Sequence, residues 1–441
     1  MITCQRHFAF AVRSDMVHIG IDIGTGGVRC CAIDDNKLAL GETSVSVKRE
    51  LRRDPDHMRN AVTSTLRQLA RKTGGAGDTL AIAGTSGSFL SLGATERPIA
   101  EMSLYSDRAS DALEQSVRAM MSDHAGMGAS SSVVARLVEA LKNPDTRGIA
   151  FETDYFSSAL AGQRLPTDLN NALKAGADPV TEAWAPWTER LYVNADARPS
   201  LVRPGRMLGR MTQTIAKELG FAARPQIVAG TTDGCASALA AGLEHPGDAV
   251  TSLGSTLILK ILSDHAVHSA IHGVYSHRIL GQWLVGGASN AGGNALKHLF
   301  SDLDLVSLSR HPIAPAPSAL RYVPLLSSGE RFPVVDPYLA PRLSPRPNDD
   351  GTYFLAVLDS LVRWEQHGFD ALTAVGAPKL RRLTAVGGGS GNAAWMATRR
   401  RDLKVEHFAP CSTHPAFGAA LLARSAVVSE SPTKSWSVAT Q

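Results

Sequence analysis

The stretch that most constrains the fold of this chain is His18–Asn36, which reads HIGIDIGTGGVRCCAIDDN. Two β-rich runs are separated by the glycine-rich segment Gly24–Gly27, and the order strand, tight turn, strand predicts a β-hairpin. Glycines let backbone N–H groups approach a phosphate closely, Thr25 adds a hydroxyl donor, and Asp22 at the end of the first strand could bind Mg²⁺ directly or through water. Taken alone, the pattern fits a plain hairpin equally well.

A second stretch of the same kind lies in the other half of the chain. Residues 248–263 read DAVTSLGSTLILKILS, in which Gly254-Ser255-Thr256 separates two β-rich runs. Two hairpins with glycine–hydroxyl turns indicate an internally duplicated fold. Two opposed phosphate turns closing on one nucleotide are typical of the actin, hexokinase and heat-shock ATPase superfamily. The sequence contains neither a G-x-x-x-x-G-K-[ST] loop nor a Rossmann glycine fingerprint.

The composition excludes several classes of protein. A length of 441 residues predicts two or three domains, and 44% hydrophobic with 20% charged residues is typical of a globular protein. The net charge of +4 is small, no basic block is interleaved with aromatic residues, and no apolar run is long enough for a bilayer. We therefore expect neither a nucleic-acid nor a membrane partner. Five cysteines without C-x-x-C spacing indicate a reducing, cytoplasmic setting.

The remaining pattern predicts alternating helices and strands, which favours an α/β fold. Residues 1–16 are interpreted as an N-terminal extension from an upstream start rather than a targeting signal. Helices are expected at 56–72, within 109–143, from 235 to 243 and from 416 to 425. Buried strands are expected at 79–85, 225–230 and 382–386.

Asp233 is the candidate base for phosphoryl transfer to a hydroxyl. It follows a predicted strand near the middle of the chain, before a glycine and a small-residue helix, where it could face a cleft between two halves. Geometry matters more than a raised pKa for this role. An Asp in this position is also a common helix N-cap, and the motif by itself leaves the two roles equal.

Two further groups of residues are candidates for ligand contacts. Gly387, Gly388 and Gly389 with Asn392 form a strand-to-helix turn against which a base or ribose could lie, although a plain turn also fits. Polar residues at predicted strand ends in the first half could hydrogen-bond a polyol, or could be ordinary surface: Ser86, Ser88, Asp107, Arg108 and Asn170. Histidine spacing suited to a transition metal and an intact G-x-S-x-G motif are both missing from the sequence.

Six motifs occur in a fixed order: IDIGTGG, GTTDG, SLGST, AGG, SGERFPVVDP and GGGSGN. From Val17 onward this set resembles the FGGY carbohydrate kinases. Over residues 165–345, stretches such as TDLNNALKAGADP and GVYSHRI are similar to the plant and cyanobacterial xylulokinase-like branch described as D-ribulose kinases. Tyr105 stands where typical family members have a tryptophan, and Ser86-Gly87 replaces their Met-Gly, so these departures leave the substrate open.

The resemblance implies an α/β, two-domain actin-like ATPase (ribonuclease H-like) fold with the active site in the interdomain cleft. It implies a sugar-binding domain at 17–240 and an ATP-binding domain at 241–414. Residues 415–441 would form a helix that packs back on the first domain, followed by a tail. ATP and Mg²⁺ are the implied cofactors, and the assembly would be a monomer or homodimer.

The resemblance also implies a set of site residues. Asp233 would be the catalytic base and would contact the sugar, Asp22 would bind Mg²⁺ and contact the sugar, and Ser86 would bind the sugar. The implied ATP contacts are Gly24, Thr25, Gly26, Gly254, Ser255, Thr256, Gly387, Gly388, Gly389 and Asn392.

The expected function is ATP-dependent phosphorylation of the terminal hydroxyl of a ketopentose, D-ribulose first. D-xylulose, or another polyol or sugar acid, is the alternative substrate. A non-catalytic actin-like nucleotide-binding regulator is the alternative of another class.

Overall fold

The structure is a computed structural model that describes residues 16–121, 130–192 and 197–428. The interpretations of residues 1–15 as an extension and of the last residues as a tail lie outside this described part. The described strands, in chain order, are β1 (His18–Gly24), β2 (Gly27–Ile33), β3 (Ala39–Ser46), β4 (Thr79–Gly84), β5 (Phe89–Leu92), β6 (Gly148–Phe151), β7 (Thr167–Asp168), β8 (Ala177–Asp178), β9 (Ala183–Trp184), β10 (Leu201–Val202), β11 (Met207–Arg210), β12 (Gln226–Thr232), β13 (Asp248–Leu253), β14 (Leu257–Ser263), β15 (Tyr275–Ile279), β16 (Gln282–Ala288), β17 (Arg382–Val386) and β18 (Glu406–His407).

Helices cover and connect these strands. The described α-helices are α1 (Pro55–Lys72), α2 (Asp111–Met120), α3 (Ser131–Lys142), α4 (Glu152–Ala161), α5 (Leu169–Ala172), α6 (Trp187–Leu191), α7 (Gln213–Leu219), α8 (Asp233–Ala241), α9 (Gly293–Leu299), α10 (Asp302–Leu308), α11 (Asp350–Ala374), α12 (Ala393–Asp402) and α13 (Pro415–Val428). Asp54 starts α1 by accepting the N–H groups of Asp56 and His57, and Pro55 follows it.

Two six-stranded sheets organise the molecule. The first has the order β11-β12-β4-β1-β2-β3 and the second β15-β16-β14-β13-β17-β18. In each sheet the first strand of a hairpin also pairs in parallel with a later strand, β1 with β4 and β13 with β17. The predicted hairpins and the duplicated α/β arrangement are therefore observed. We call residues 16–241 the first half and 242–414 the second half.

The last helix returns to the first half. Helix α13 packs on α8 and on strands β1, β2 and β4. The Arg424 side chain also donates to the backbone carbonyl of Asp35, 2.8 Å away, at the end of the first hairpin. The first and last described segments are thus packed together, and α13 covers the sheet on the side of α8.

Gly20 on β1 allows this close approach. A Cβ at this position would lie 1.9 Å from the carbonyl oxygen of Ala416 and 2.2 Å from the nitrogen of Ala420, both backbone atoms of α13. We expect Gly20→Ala to lower the free energy of unfolding by about 3 kcal/mol, because the backbone of α13 must move to accommodate the methyl group. Urea denaturation measures this change. Gly391→Ala is the control, since its Cβ would meet no atom within 4 Å, and equal losses in the two variants would contradict the packing argument.

Candidate active site

A cleft of about 1560 Å³ lies between the two halves. Its walls combine turns of the first sheet, the start of α8 and the facing side of the second sheet. The lining residues used below are Asp22, Gly24, Thr25, Gly26, Arg29, Thr85, Ser86, Arg108, Lys174, Asp233, Thr256, Lys260, Tyr275, Glu330 and Val386.

Asp22 lies near the end of β1 with its side chain directed into this cleft. The residue is 3% exposed, and its Oδ1 atom has no hydrogen-bond partner among the described residues. Arg29 on the paired strand is the nearest cation, with Nη1 3.8 Å from Oδ2. Burial, reinforced by the negative charge of Asp233, raises the pKa of Asp22 to about 7. A buried carboxylate oxygen without a partner fits a divalent cation such as Mg²⁺, which prefers oxygen ligands.

Asp233 is the first residue of α8, but it is not the N-cap of that helix. Thr232 is the N-cap, and its hydroxyl accepts the backbone N–H of Cys235. The carboxylate of Asp233 accepts the N–H of Gly234, at 2.7 Å from Oδ1, and faces the cleft. Burial raises its pKa, while the Gly234 N–H and the positive charge of Lys174 act in the opposite direction. Of the two roles that the sequence left equal for Asp233, the structure assigns helix capping to Thr232 instead.

The first glycine turn is part of the cleft wall. Gly24, Thr25 and Gly26 all line the cleft beside Asp22. A Cβ on Gly26 would meet no atom within 4 Å, so this side of the turn is open. The open backbone matches what a phosphate-binding turn requires.

The second glycine turn is braced by the start of α9. The N–H of Gly293 donates to the carbonyl of Gly254 at 2.9 Å, and the N–H of Asn294 donates to the carbonyl of Ser255 at 3.1 Å. Thr256 lines the cleft. These bonds fix the turn, so its position relative to the second sheet is set by tertiary contacts.

The third glycine segment adjoins the second turn. Val386 lines the cleft, and Gly387 follows it with a φ of +86°, a left-handed conformation that favours glycine. A Cβ on Gly389 would lie 2.8 Å from the Leu253 side chain, directly before the second turn. Asn392 is the N-cap of α12, and its Oδ1 accepts the N–H of Trp395 at 2.9 Å.

The polar residues predicted for sugar contacts have different surroundings. Ser86 lines the cleft, and its buried hydroxyl has no hydrogen-bond partner among the described residues. Arg108 also lines the cleft, where it pairs with Glu114 at 3.1 Å. Three others are engaged elsewhere: Ser88 with Thr85 and the backbone of Tyr105, Asp107 with Arg53, and Asn170 with Thr231 and Arg278. Ser86 is therefore the predicted serine whose hydroxyl is left available in the cleft.

A buried ion pair beneath the cleft was missed by the sequence reasoning. Arg52 and Glu152 form a salt bridge and are 3% and 1% exposed. Glu152 also accepts the N–H and the hydroxyl of Thr85, at 3.0 and 2.8 Å, and Arg52 donates to the carbonyl of Gly24 at 3.2 Å. The pair thereby connects the first glycine turn to the segment that carries Ser86. No sequence pattern signals it, because its members are 100 residues apart.

Two cleft lysines were also missed. Lys260 is 4% exposed, with Nζ 3.3 Å from Nδ1 of His277 and 4.2 Å from the centre of the Tyr275 ring. Burial lowers the pKa of Lys260 to about 8. Lys174 lies on the first-half wall, 3.4 Å from the carbonyl of Ser86. The signal in the sequence was a lysine inside the apolar run of residues 257–262.

The duplicated α/β halves, with a glycine–hydroxyl turn from each half beside one cleft, define the actin-like ATPase fold. Comparison with solved structures supports the same class. A kinase from Brucella ovis that is described as a xyloylose kinase has a TM-score of 0.83 at 22% identity, covering 94% of this chain and 91% of the other. A xylulose kinase from Rhodospirillum rubrum gives 0.80 at 21% identity, with coverages of 95% and 91%, and a Plasmodium falciparum glycerol kinase with ADP gives 0.80 at 14% identity, with 94% and 90%.

Sequence comparison finds similarity to one family of kinases over part of the chain. Residues 249–427 match the C-terminal domain of the FGGY family of carbohydrate kinases. The xylulose kinase of Escherichia coli K12 is 25% identical over 297 residues, which are 64% of this chain. That alignment spans only 60% of the length of the Escherichia coli enzyme. The domain match is confined to the second half and α13, so the sequence similarity to the FGGY carbohydrate kinases covers that part, and the likeness of the whole chain to the solved structures is one of fold.

Within the described ranges, no helix is both long enough and apolar enough to cross a membrane.

Proposed function

We propose that this protein is an ATP-dependent kinase that phosphorylates the terminal hydroxyl of a ketopentose, with D-ribulose as substrate and D-ribulose 5-phosphate as product. The observation that carries the proposal is that two carboxylates, those of Asp22 and Asp233, line the same cleft. Asp233 is relieved of capping by Thr232, and Asp22 has a buried oxygen without a partner. Similarity to proteins named as xylulose kinases supports a pentulose as the substrate class.

In this proposal Asp233 accepts the proton of the attacking sugar hydroxyl. Phosphoryl transfer depends mainly on positioning and on the stabilisation of charge, so one well-placed acceptor suffices. Ser86 and Lys174, which face the same part of the cleft, hold the sugar hydroxyls. The positive charge of Lys174 opposes the rise in the pKa of Asp233 that burial causes, and so favours the ionised form of the acceptor.

The nucleotide side of the cleft is proposed to use backbone donors. Gly24–Gly26 and Gly254–Thr256 would surround the phosphates from the two halves, and Gly387–Gly389 with Asn392 would hold the adenosine. Asp22 would hold Mg²⁺, which supplies neutralisation of the phosphate charge. The corresponding domains would be residues 17–240 and 241–414, with the helix after 414 returning to the first domain.

D-xylulose is the second candidate substrate. It is favoured by the named relatives, whereas D-ribulose is favoured by the motifs in residues 165–345. The sugar pocket also departs from the typical family pattern at Ser86 and Tyr105. Tyr105 is 47% exposed at the cleft, which leaves space for other polyols or sugar acids.

A coupled ADP-release assay with Mg-ATP distinguishes these substrates. The panel contains D-ribulose, D-xylulose, L-ribulose, glycerol and D-gluconate, with a control that lacks sugar. We expect ADP release to rise steeply with D-ribulose. The kcat/KM for each of the other sugars should be at least tenfold lower than that for D-ribulose. Preference for D-xylulose or gluconate would overturn the D-ribulose proposal, and bound ATP with no release for any sugar would favour the regulator.

A further inference from the structure

One fully buried side chain connects the two halves of the protein. Asn170 in α5 is 0% exposed and faces β15, the edge strand of the second sheet. Its Nδ2 donates to the carbonyl of Arg278 at 2.7 Å, and its Oδ1 accepts the N–H of the same residue at 2.9 Å. An edge strand leaves such groups without a ladder partner. The carboxamide of Asn170 satisfies both of them, as a neighbouring strand would.

The same carboxamide also holds the strand that leads to the candidate base. Nδ2 of Asn170 donates to the hydroxyl of Thr231 at 2.9 Å. Thr231 lies in β12, two residues before Asp233. Asn170 therefore contacts both the end of β12 and the edge of the opposite sheet.

On the other side, the contact continues through the second sheet. Strand β15 pairs with β16, and β16 pairs with β14. Strand β14 begins directly after Thr256, the last residue of the second glycine turn. Arg278 pairs with Trp283 in β16, and Trp283 pairs with Ser263 at the end of β14, so the connection from Asn170 reaches the second glycine turn along the length of β14.

Only two chain segments join the described halves covalently, so noncovalent contacts also determine how the halves are oriented. The chain crosses between the halves in residues 242–247, between α8 and β13, and in residues 408–414, between β18 and α13. Apolar side chains of α8 and of the second sheet, among them Cys235 and Leu262, also pack together between the halves. Asn170 adds a directional polar connection, which fixes orientation in a way that apolar packing alone does not. Arg278 adds a second contact at this place through its side chain, which pairs with Glu182 at 3.0 Å.

We propose that Asn170 is a positioning residue that keeps Asp233 in register with the Gly254–Thr256 turn of the opposite half. This inference rests on the proposed kinase function. Asn170 does not touch the sugar, because its donors and its acceptor are occupied by Thr231 and Arg278. Phosphoryl transfer is sensitive to displacements of about 1 Å, which cost roughly 100-fold in rate.

Asn171 provides a matched control beside it. It is the same residue type in the same helix and is 1% exposed, but its amide donates within the first half, to Thr153 at 3.1 Å and to Asp168 at 2.6 Å. Asn170→Ala and Asn171→Ala therefore both remove buried hydrogen bonds, and only the first removes a contact between halves. Asn170→Asp, compared with Asn171→Asp, repeats the test without a cavity in case an alanine variant does not fold.

The measurements are kcat, KM for sugar, KM for ATP and the urea midpoint of each variant. We expect both alanine variants to lose stability, and only the Asn170 variants to lose 10- to 100-fold in kcat, with less than threefold change in the KM for sugar. Arg278→Ala should stay within fivefold of the wild-type kcat, because Asn170 bonds to its backbone. Equal kcat losses at positions 170 and 171, or a tenfold rise in sugar KM with kcat retained at position 170, would overturn the proposal.

Solution scattering with bound Mg-ATP tests the same contact without using the sugar. We expect the wild type and the Asn171 variant to have the same radius of gyration. The folded Asn170 variants should have a larger one. Indistinguishable curves for all of them would overturn the positioning role. A wild type that phosphorylates no sugar, with the expected scattering difference, would overturn the proposed substrate while leaving the connection between the halves supported.

Discussion

Asp233→Asn is expected to lower kcat by about 1,000-fold with the preferred sugar, because the amide cannot accept the proton of the attacking hydroxyl. The affinity for ATP should change less than threefold, since the proposed phosphate contacts are backbone groups of the two turns. Asparagine has nearly the same size as aspartate, and the N–H of Gly234 can still donate to its carbonyl oxygen. Single-turnover measurements with saturating ATP separate the loss of chemistry from a loss of binding.

Thr232→Ala is the control for this prediction. It removes the hydroxyl that caps α8, which should cost about 1 kcal/mol of stability, and it leaves the Asp233 carboxylate in place. If the cap variant loses as much turnover as Asp233→Asn, the carboxylate acts only through the structure of the helix start. Near-normal turnover of Asp233→Asn with every accepted sugar would remove Asp233 from the role of base.

Asp22→Asn is expected to abolish most Mg²⁺-dependent turnover and, at the same time, to make the ligand-free protein more stable at pH 8. Burial raises the pKa of Asp22 from 3.8 to about 7 in the folded protein, whereas the unfolded chain ionises near 4. Between these values the folded state holds more protons than the unfolded state. The stability of the ligand-free protein therefore falls as pH rises from 4 to 7, and the loss is complete above pH 7.

A shift of this size corresponds to about 4 kcal/mol, at 1.36 kcal/mol for each pH unit. The asparagine variant cannot ionise, so it avoids this cost. Thermal unfolding at pH 5 and pH 8, without nucleotide or metal, should show the variant gaining several degrees over the wild type at pH 8 and a clearly smaller gain at pH 5. Titration of Mg²⁺ at pH 8 should then stabilise the wild type more than the variant. A variant that is less stable than the wild type at pH 8, or that keeps Mg²⁺-dependent turnover, would contradict the assignment of Asp22.

The alternation of strands and helices was largely predictable because it depends on local pattern. The β-rich runs around Gly24–Gly27 and Gly254–Thr256 favour hairpins whatever the rest of the sheet is. Tight turns and β-branched residues determine the backbone conformation over only a few residues. The duplication followed from the repetition of that pattern. The fold class was therefore determined by short-range physics and is confirmed.

The sequence also determined which residue types stand at the turns, and it placed Asp22, Ser86 and Asp233 correctly at strand ends. It did not determine what each of them does. Asp233 resembled a helix cap until the structure showed Thr232 in that position. Asn170 resembled a sugar ligand until both of its polar groups were found bonded to Thr231 and Arg278.

Tertiary structure alone decided the contacts between residues far apart in the chain. Glu152 contacts Arg52 across 100 residues, and Asn170 contacts Arg278 across 108. Neither pair leaves a local signal in the sequence, because these polar groups require a partner only once they are buried. The raised pKa of Asp22 has the same origin, since it depends on what surrounds the carboxylate. The sequence by itself set the strands, the turns and the residue types at the site, while the packing of the two halves set the environment and partners of each side chain.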